Sequence, residues 1–177
     1  QGNHYSINST TEAYDYVDTV TLPYVDSYTI SYTTCCRSLT IANITNPTSS
    51  PIYLEMVVYV DSTCNSSPTI PVHPYNYGIV NFAYVQGLNA YDLDGDSISY
   101  QLITPLDAGG ILTQGYVLPP SAGISNNNAI FMMTTSSAGT YDICFKVTEY
   151  RNGNEIGHVM REMQIPFVIA NNIDEPI

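Results

Sequence analysis

The chain has almost no positive charge. Lys146, Arg37, Arg151 and Arg161 are its only lysine and arginines, set against sixteen aspartates and glutamates, for a formal net charge of −12. A nucleic-acid binder neutralises phosphates with Lys and Arg, and docking on an anionic membrane surface needs a basic patch; both classes are argued against. Charge of either sign is scarce, at 11% of residues against about 25% in ordinary domains, so Ser, Thr, Asn and Tyr must make the surface. Tryptophan is absent, while tyrosine occurs sixteen times and supplies strand propensity and amphipathic contact area. No apolar run approaches the ~20 residues of a membrane-spanning helix. No segment sustains a 3.6-residue period, so no helix longer than a turn or two is expected. The four cysteines include no C-x-x-C pair, which argues against a zinc ribbon.

The most informative stretch present is Asp92-Leu93-Asp94-Gly95-Asp96-Ser97-Ile98-Ser99-Tyr100. Three carboxylates spaced two apart repel one another unless one protonates or a cation joins them. A hard cation such as Ca²⁺ takes several carboxylate and carbonyl oxygens at once, and Gly95 permits the turn that brings Asp96 round. Ile98, Tyr100 and Leu102 then alternate with Ser97, Ser99 and Gln101, as in a half-buried strand. The pattern is a cation loop feeding a strand. It is not an EF-hand: no helical pattern follows, and Ile103 stands where the bidentate Glu belongs.

Nearly everything else reads as strand. Alternation marks 14–22, 27–34, 52–60, 97–103, 140–150 and 155–170, with further strands near 79–85 and 129–134. Residues 52–60 read as the clearest core strand, with Ile52, Leu54, Met56, Val58 and Val60 on one face. Pro/Asn/Ser/Gly turns punctuate the runs, and Asn152-Gly153 suits a type I′ hairpin. Pro166 argues for an edge position or a bulge in the last strand. The fold class is therefore all-β, as β-sandwiches. The polar, Pro-rich Cys64-Asn65-Ser66-Ser67-Pro68 stretch is the best boundary, giving domains 1–65 and 66–177. Cys35, Cys36, Cys64 and Cys144 fit an oxidising compartment with one or two disulfides. Four cysteines allow three connectivities; Cys35 and Cys36, if in a strand, face opposite ways and seek different partners.

The order Cys35-Cys36-Arg37-Ser38, Asn65-Ser66-Ser67-Pro68, Asp92-Leu93-Asp94-Gly95-Asp96-Ser97 and Glu149-Tyr150-Arg151-Asn152-Gly153 resembles secreted surface proteins of gliding, type IX-secreting bacteria. The resemblance implies immunoglobulin-like, PKD-like or cadherin-like β-sandwich repeats and a location at the cell surface. Cadherin-like domains hold a cation near a domain end, using the linker and a late acidic residue, so Asn65 and Glu149 become candidate ligands beside Asp92, Asp94 and Asp96. The alternative for Glu149 is a surface ion pair with Arg151 or Arg161. Thr19 and Ser62 sit in Asp-Ser/Thr contexts similar to those such bacteria O-glycosylate.

His4, His73 and His158 are scattered, and neither a Gly-x-Ser-x-Gly nor a His-Glu-x-x-His motif occurs; an enzyme is not expected. The function expected is an extracellular structural or adhesive protein stabilised by Ca²⁺, perceived either as a filament subunit or as a module among neighbouring surface domains. The alternative is a Ca²⁺-dependent glycan-binding module. Residues 1–12 and 171–177 are expected to lie free or to add to a neighbour's sheet edge.

Overall fold

The computed structural model describes residues 3–8, 11–22, 25–60, 63–71, 76–125 and 129–170. Ser62, His73 and the 171–177 segment lie outside them. The strands are β1 (Asn3–Asn8), β2 (Thr11–Asp15), β3 (Asp26–Thr34), β4 (Ile52–Val60), β5 (Gly78–Ile79), β6 (Tyr84–Gly87), β7 (Ser97–Ile103), β8 (Leu106–Asp107), β9 (Ile111–Leu112), β10 (Gly123–Ser125), β11 (Ile130–Met133), β12 (Gly139–Arg151) and β13 (Asn154–Val168). The only helical turn among the described residues is Pro47–Ser49, so the chain is all-β. No helix among the described residues is long and apolar enough to cross a membrane.

β1 and β2 form a two-stranded hairpin, so the part of 1–12 expected to lie free takes a partner within its own chain. A three-stranded sheet runs β10-β11-β6. The large sheet runs β7-β12-β13-β4-β8-β9, with β3 on β4 and β5 parallel to β13. β4 comes from 1–65 and β13 from 66–177, and they share the pairs Gly157↔Val58, His158↔Val57 and Val159↔Met56. One sheet therefore crosses the expected boundary. The run 16–22 is not a strand; pairing stops at Asp15.

The core lies between the two sheets. Tyr84, Phe131 and Met133 of the small sheet meet Tyr100, Ile143, Phe145, Val147, Met163, Ile165 and Phe167 of the large one, with Leu88. Parity decides which side chains enter: Phe131 and Met133 are buried while Met132 between them is exposed. Burial of side chains this large contributes about 1.5–3 kcal/mol each. β4 does not supply this core. Its side chains are half-buried, and Tyr59 is exposed, because no second sheet covers β4 as the small sheet covers β12. Pro166 faces Thr140 of β12 and lies between the short ladders that β4 and β5 make with the other edge of β13, where a missing N–H is tolerated.

β12 is buried on both faces, and its second face is polar. Asp142, fully buried, meets the guanidinium of Arg37, itself only 2% exposed. Arg37 Nε donates to Asp142 Oδ2 at 2.9 Å and to Glu162 Oε1 at 2.8 Å. Its Nη2 donates to Glu162 Oε2 at 2.7 Å and to the Leu106 carbonyl at 3.0 Å. Its Nη1 donates to Asp107 Oδ1 at 2.7 Å, Ser50 Oγ at 2.8 Å and the Pro51 carbonyl at 2.5 Å. Asn43 continues the frame: its side chain accepts the Asp142 N–H and donates to the Asp142 carbonyl, both at 2.8 Å. One arginine thus ties the 37–51 segment to β8, β12 and β13. Asp142 Oδ1 and the nearby Tyr116 hydroxyl are buried without a partner among the described residues.

Cys35 and Cys36 are bonded to each other, across a cis peptide. They do not face opposite ways toward separate partners, because the pair lies beyond the end of β3 in a bend, where strand alternation no longer holds. Cys64 is free and exposed, and Cys144 is free and buried.

Candidate metal centre

Each element brings one part of the site. The Asp loop leaves a bridge between Tyr91 and Thr69 and enters β7. Asp92 Oδ1 accepts the backbone N–H groups of Asp94, at 2.9 Å, and Asp96, at 3.0 Å. That folds the loop around the Asp92 carboxylate, as short Asp side chains do in turns. Gly95 has φ +81°, which an L side chain rarely adopts, so the glycine is required there. Asp92, Asp94 and Asp96 each offer an oxygen within 4.8 Å of the others.

Glu149 arrives from β12. A bulge between Glu149 and Tyr150 ends the regular register with β13, and Gly157 lies opposite. A Cβ on residue 157 would stand 2.5 Å from Glu149 Oε1 and 2.5 Å from the Val57 carbonyl oxygen, so only glycine leaves the carboxylate this space. The linker arrives from the far side. Asn65 Nδ2 donates to Glu149 Oε1 at 2.7 Å, and the Ser66 N–H donates to Asp94 Oδ2 at 2.5 Å. The structure brings Asp92, Asp94 and Asp96 within reach of one ion; Glu149 stands beside that triad rather than in it, and Asn65 meets Glu149 while Ser66 meets Asp94.

Glu149 is fully buried rather than on the surface, and it is bonded to Asn65. Arg161 instead donates to the Ile70 carbonyl at 3.2 Å. Arg151 turns to Asp96: its Nε lies 3.0 and 3.2 Å from the two carboxylate oxygens, and Nη2 lies 2.5 Å from Oδ2. The same guanidinium donates to Asn65 Oδ1 at 2.8 Å and Thr63 Oγ1 at 3.0 Å. Arg151 and Ser66 are the participants that sequence reasoning did not assign. A signal for Arg151 existed, since it stands two residues beyond Glu149 on the same strand parity.

Two oxygens in this cluster, Asp92 Oδ2 and Glu149 Oε2, are buried with no hydrogen-bond partner among the described residues. Burial pushes the Glu149 carboxyl up; the Asn65 amide opposes the shift, and the charges of Asp92 and Asp96 reinforce it. The donor set is entirely hard oxygen, with no imidazole or thiolate among the three converging carboxylates. That chemistry suits Ca²⁺ or Mg²⁺ rather than zinc or copper. Ca²⁺–oxygen distances of about 2.3–2.6 Å place ligand atoms up to roughly 5 Å apart across one ion, so the Asp triad fits that span. Elsewhere, Thr19, the candidate for O-glycosylation, is exposed, and its N–H donates to Asp18 Oδ1 at 2.8 Å. Compared with protein-family models and with curated proteins, the chain matches none.

Proposed function

We propose that this chain is an extracellular structural or adhesive protein whose β-sandwich is stabilised by Ca²⁺ held at Asp92, Asp94, Asp96 and Glu149, with Asn65 orienting Glu149. The observation that carries the reading is the pair of buried, unpartnered carboxylate oxygens, Asp92 Oδ2 and Glu149 Oε2, beside two further acids. Unpaired buried oxygens of this kind are costly, and a divalent cation on the Asp triad would offset the negative charge gathered there and beside it at Glu149. The hydrophobic cluster is drawn wholly from residues beyond 66, which supports reading 66–177 as the cadherin-like unit, with β3 and β4 of 1–65 added to its large sheet. The partners we infer are further copies or neighbouring domains at the cell surface. β3 supports this: it pairs only with β4 among the described strands and is exposed along most of its length.

Millimolar Ca²⁺ should raise the melting temperature above that in EDTA. A ligand bound only by the folded state stabilises by about 2.7 kcal/mol at 100 times its Kd. Asp94→Ala should remove most of the difference. Identical melting in EDTA and Ca²⁺, checked by scanning calorimetry, sinks the calcium reading; negative-stain images of the Ca²⁺-loaded protein show fibres if the chain self-assembles and single particles if it does not. Tyr91, exposed and next to Asp92, supports the second reading, a Ca²⁺-dependent glycan-binding module in which the ring stacks on a sugar. Retention on immobilised polysaccharide that EDTA reverses would favour it.

A further inference from the structure

We propose that Arg151 is the resident counter-cation of this centre, holding Asp96 while no metal is bound and yielding it to an incoming divalent cation. The inference rests on the calcium reading and adds the residue that sets its affinity. Arg151 engages both oxygens of Asp96, at 3.0 and 3.2 Å from Nε and 2.5 Å from Nη2. Asp96 is also one of the three carboxylates that converge, so a metal ion and the guanidinium compete for the same oxygens. The guanidinium covers only one corner of the cluster: Asp92 Oδ2 and Glu149 Oε2 remain without a hydrogen bond. Negative charge is therefore left uncompensated for a second cation beside it.

Arg151 also has somewhere to go. Its side chain is 28% exposed, against 9% for Asp96, and it already bonds Thr63 Oγ1 and Asn65 Oδ1 on the linker. When the metal takes Asp96, those two acceptors and solvent keep the guanidinium satisfied. Like charges a few ångströms apart still repel in a partly exposed site, so the arginine weakens metal binding and keeps the acid cluster balanced in the metal's absence.

The test is calorimetric titration of Ca²⁺ into the full chain, wild type and Arg151→Gln, with circular dichroism showing that the variant is folded. Arg151→Gln should bind Ca²⁺ about tenfold more tightly, the effect of removing one like charge at such a distance. In EDTA the variant should melt below the wild type, and Ca²⁺ should narrow that gap. Unchanged or weaker binding by the variant overturns the proposal and makes Arg151 a positioning residue or a bystander. Binding by the variant alone, with none by the wild type, also overturns it, because the guanidinium would then replace the metal permanently. Binding by neither protein removes the calcium reading itself. If Arg151→Gln does not fold, the NMR signal of the Arg151 Nε–H in the wild type decides: it should shift on adding Ca²⁺, and an unmoved signal at Ca²⁺ saturation overturns the exchange.

Discussion

Arg37→Ala should destabilise the protein by about 3–5 kcal/mol, the usual cost of removing one partner from a buried ion pair. For a chain of this size that is roughly a 10 °C fall in Tm. The reason lies in what remains. Asp142 is fully buried and the Glu162 side chain nearly so, at 4% exposed, and both lose their guanidinium at once. Ser50, Pro51 and Leu106 also lose a donor. Lost packing volume alone would not give this pattern, and the double variant separates the two causes. Adding Glu162→Gln to Arg37→Ala should recover part of the loss, because one fewer buried carboxylate is left without its guanidinium. Thermal melts of the two variants check this; an Arg37→Ala protein that melts within a degree or two of the wild type would show that the cluster holds nothing together.

Stability should also fall as pH rises from about 4 to about 8. Burial pushes the Asp142 carboxyl up to about 8; the charge of Glu162 adds to the shift and Arg37 opposes it. The unfolded chain releases that proton near the ordinary carboxylate value, about 4. Between those values the folded state binds one proton more than the unfolded state, so raising the pH favours unfolding. The contribution is fully present below about 4 and is lost by the time pH passes about 8, at up to about 1.4 kcal/mol per pH unit within the window. Asp142→Asn should flatten that part of the profile. Urea melts at half-unit pH steps, performed in EDTA to keep the metal centre out of the comparison, measure both proteins. An Asp142→Asn profile parallel to that of the wild type would place the proton elsewhere.

The sequence made the long strands legible because alternation is a local property. The predicted strands 27–34, 52–60, 97–103 and 140–150 match β3, β4, β7 and β12 to within a residue or so. What alternation does not carry is which face another sheet covers. Ile52, Leu54 and Met56 look like core by parity, yet the small sheet lies over β12 and β13. The two-residue strands β8 and β9 are too short to show a period at all. The Asp cluster is visible in the sequence because its three carboxylates are neighbours there, whereas only the family resemblance points to Asn65 and Glu149. Arg37 was visible only as part of a motif, since its three acids lie 70, 105 and 125 residues away. The vicinal disulfide does not follow from strand alternation, because Cys35 and Cys36 lie beyond the end of β3.

Those separations have a consequence for the order in which the chain is made. β12 and β13 pair across a two-residue turn and along nearly their whole length, so their contacts are as local as contacts in a long hairpin can be. Arg37 is the opposite case. It emerges from the ribosome seventy residues before Asp107, the first of its acids, and 125 before Glu162, the last. Throughout that interval the N-terminal segment carries a guanidinium whose acidic partners have not yet been synthesised. A chain that stops short of residue 162 loses part of its last long strand, and it also leaves Arg37 without both of the bonds that Glu162 accepts.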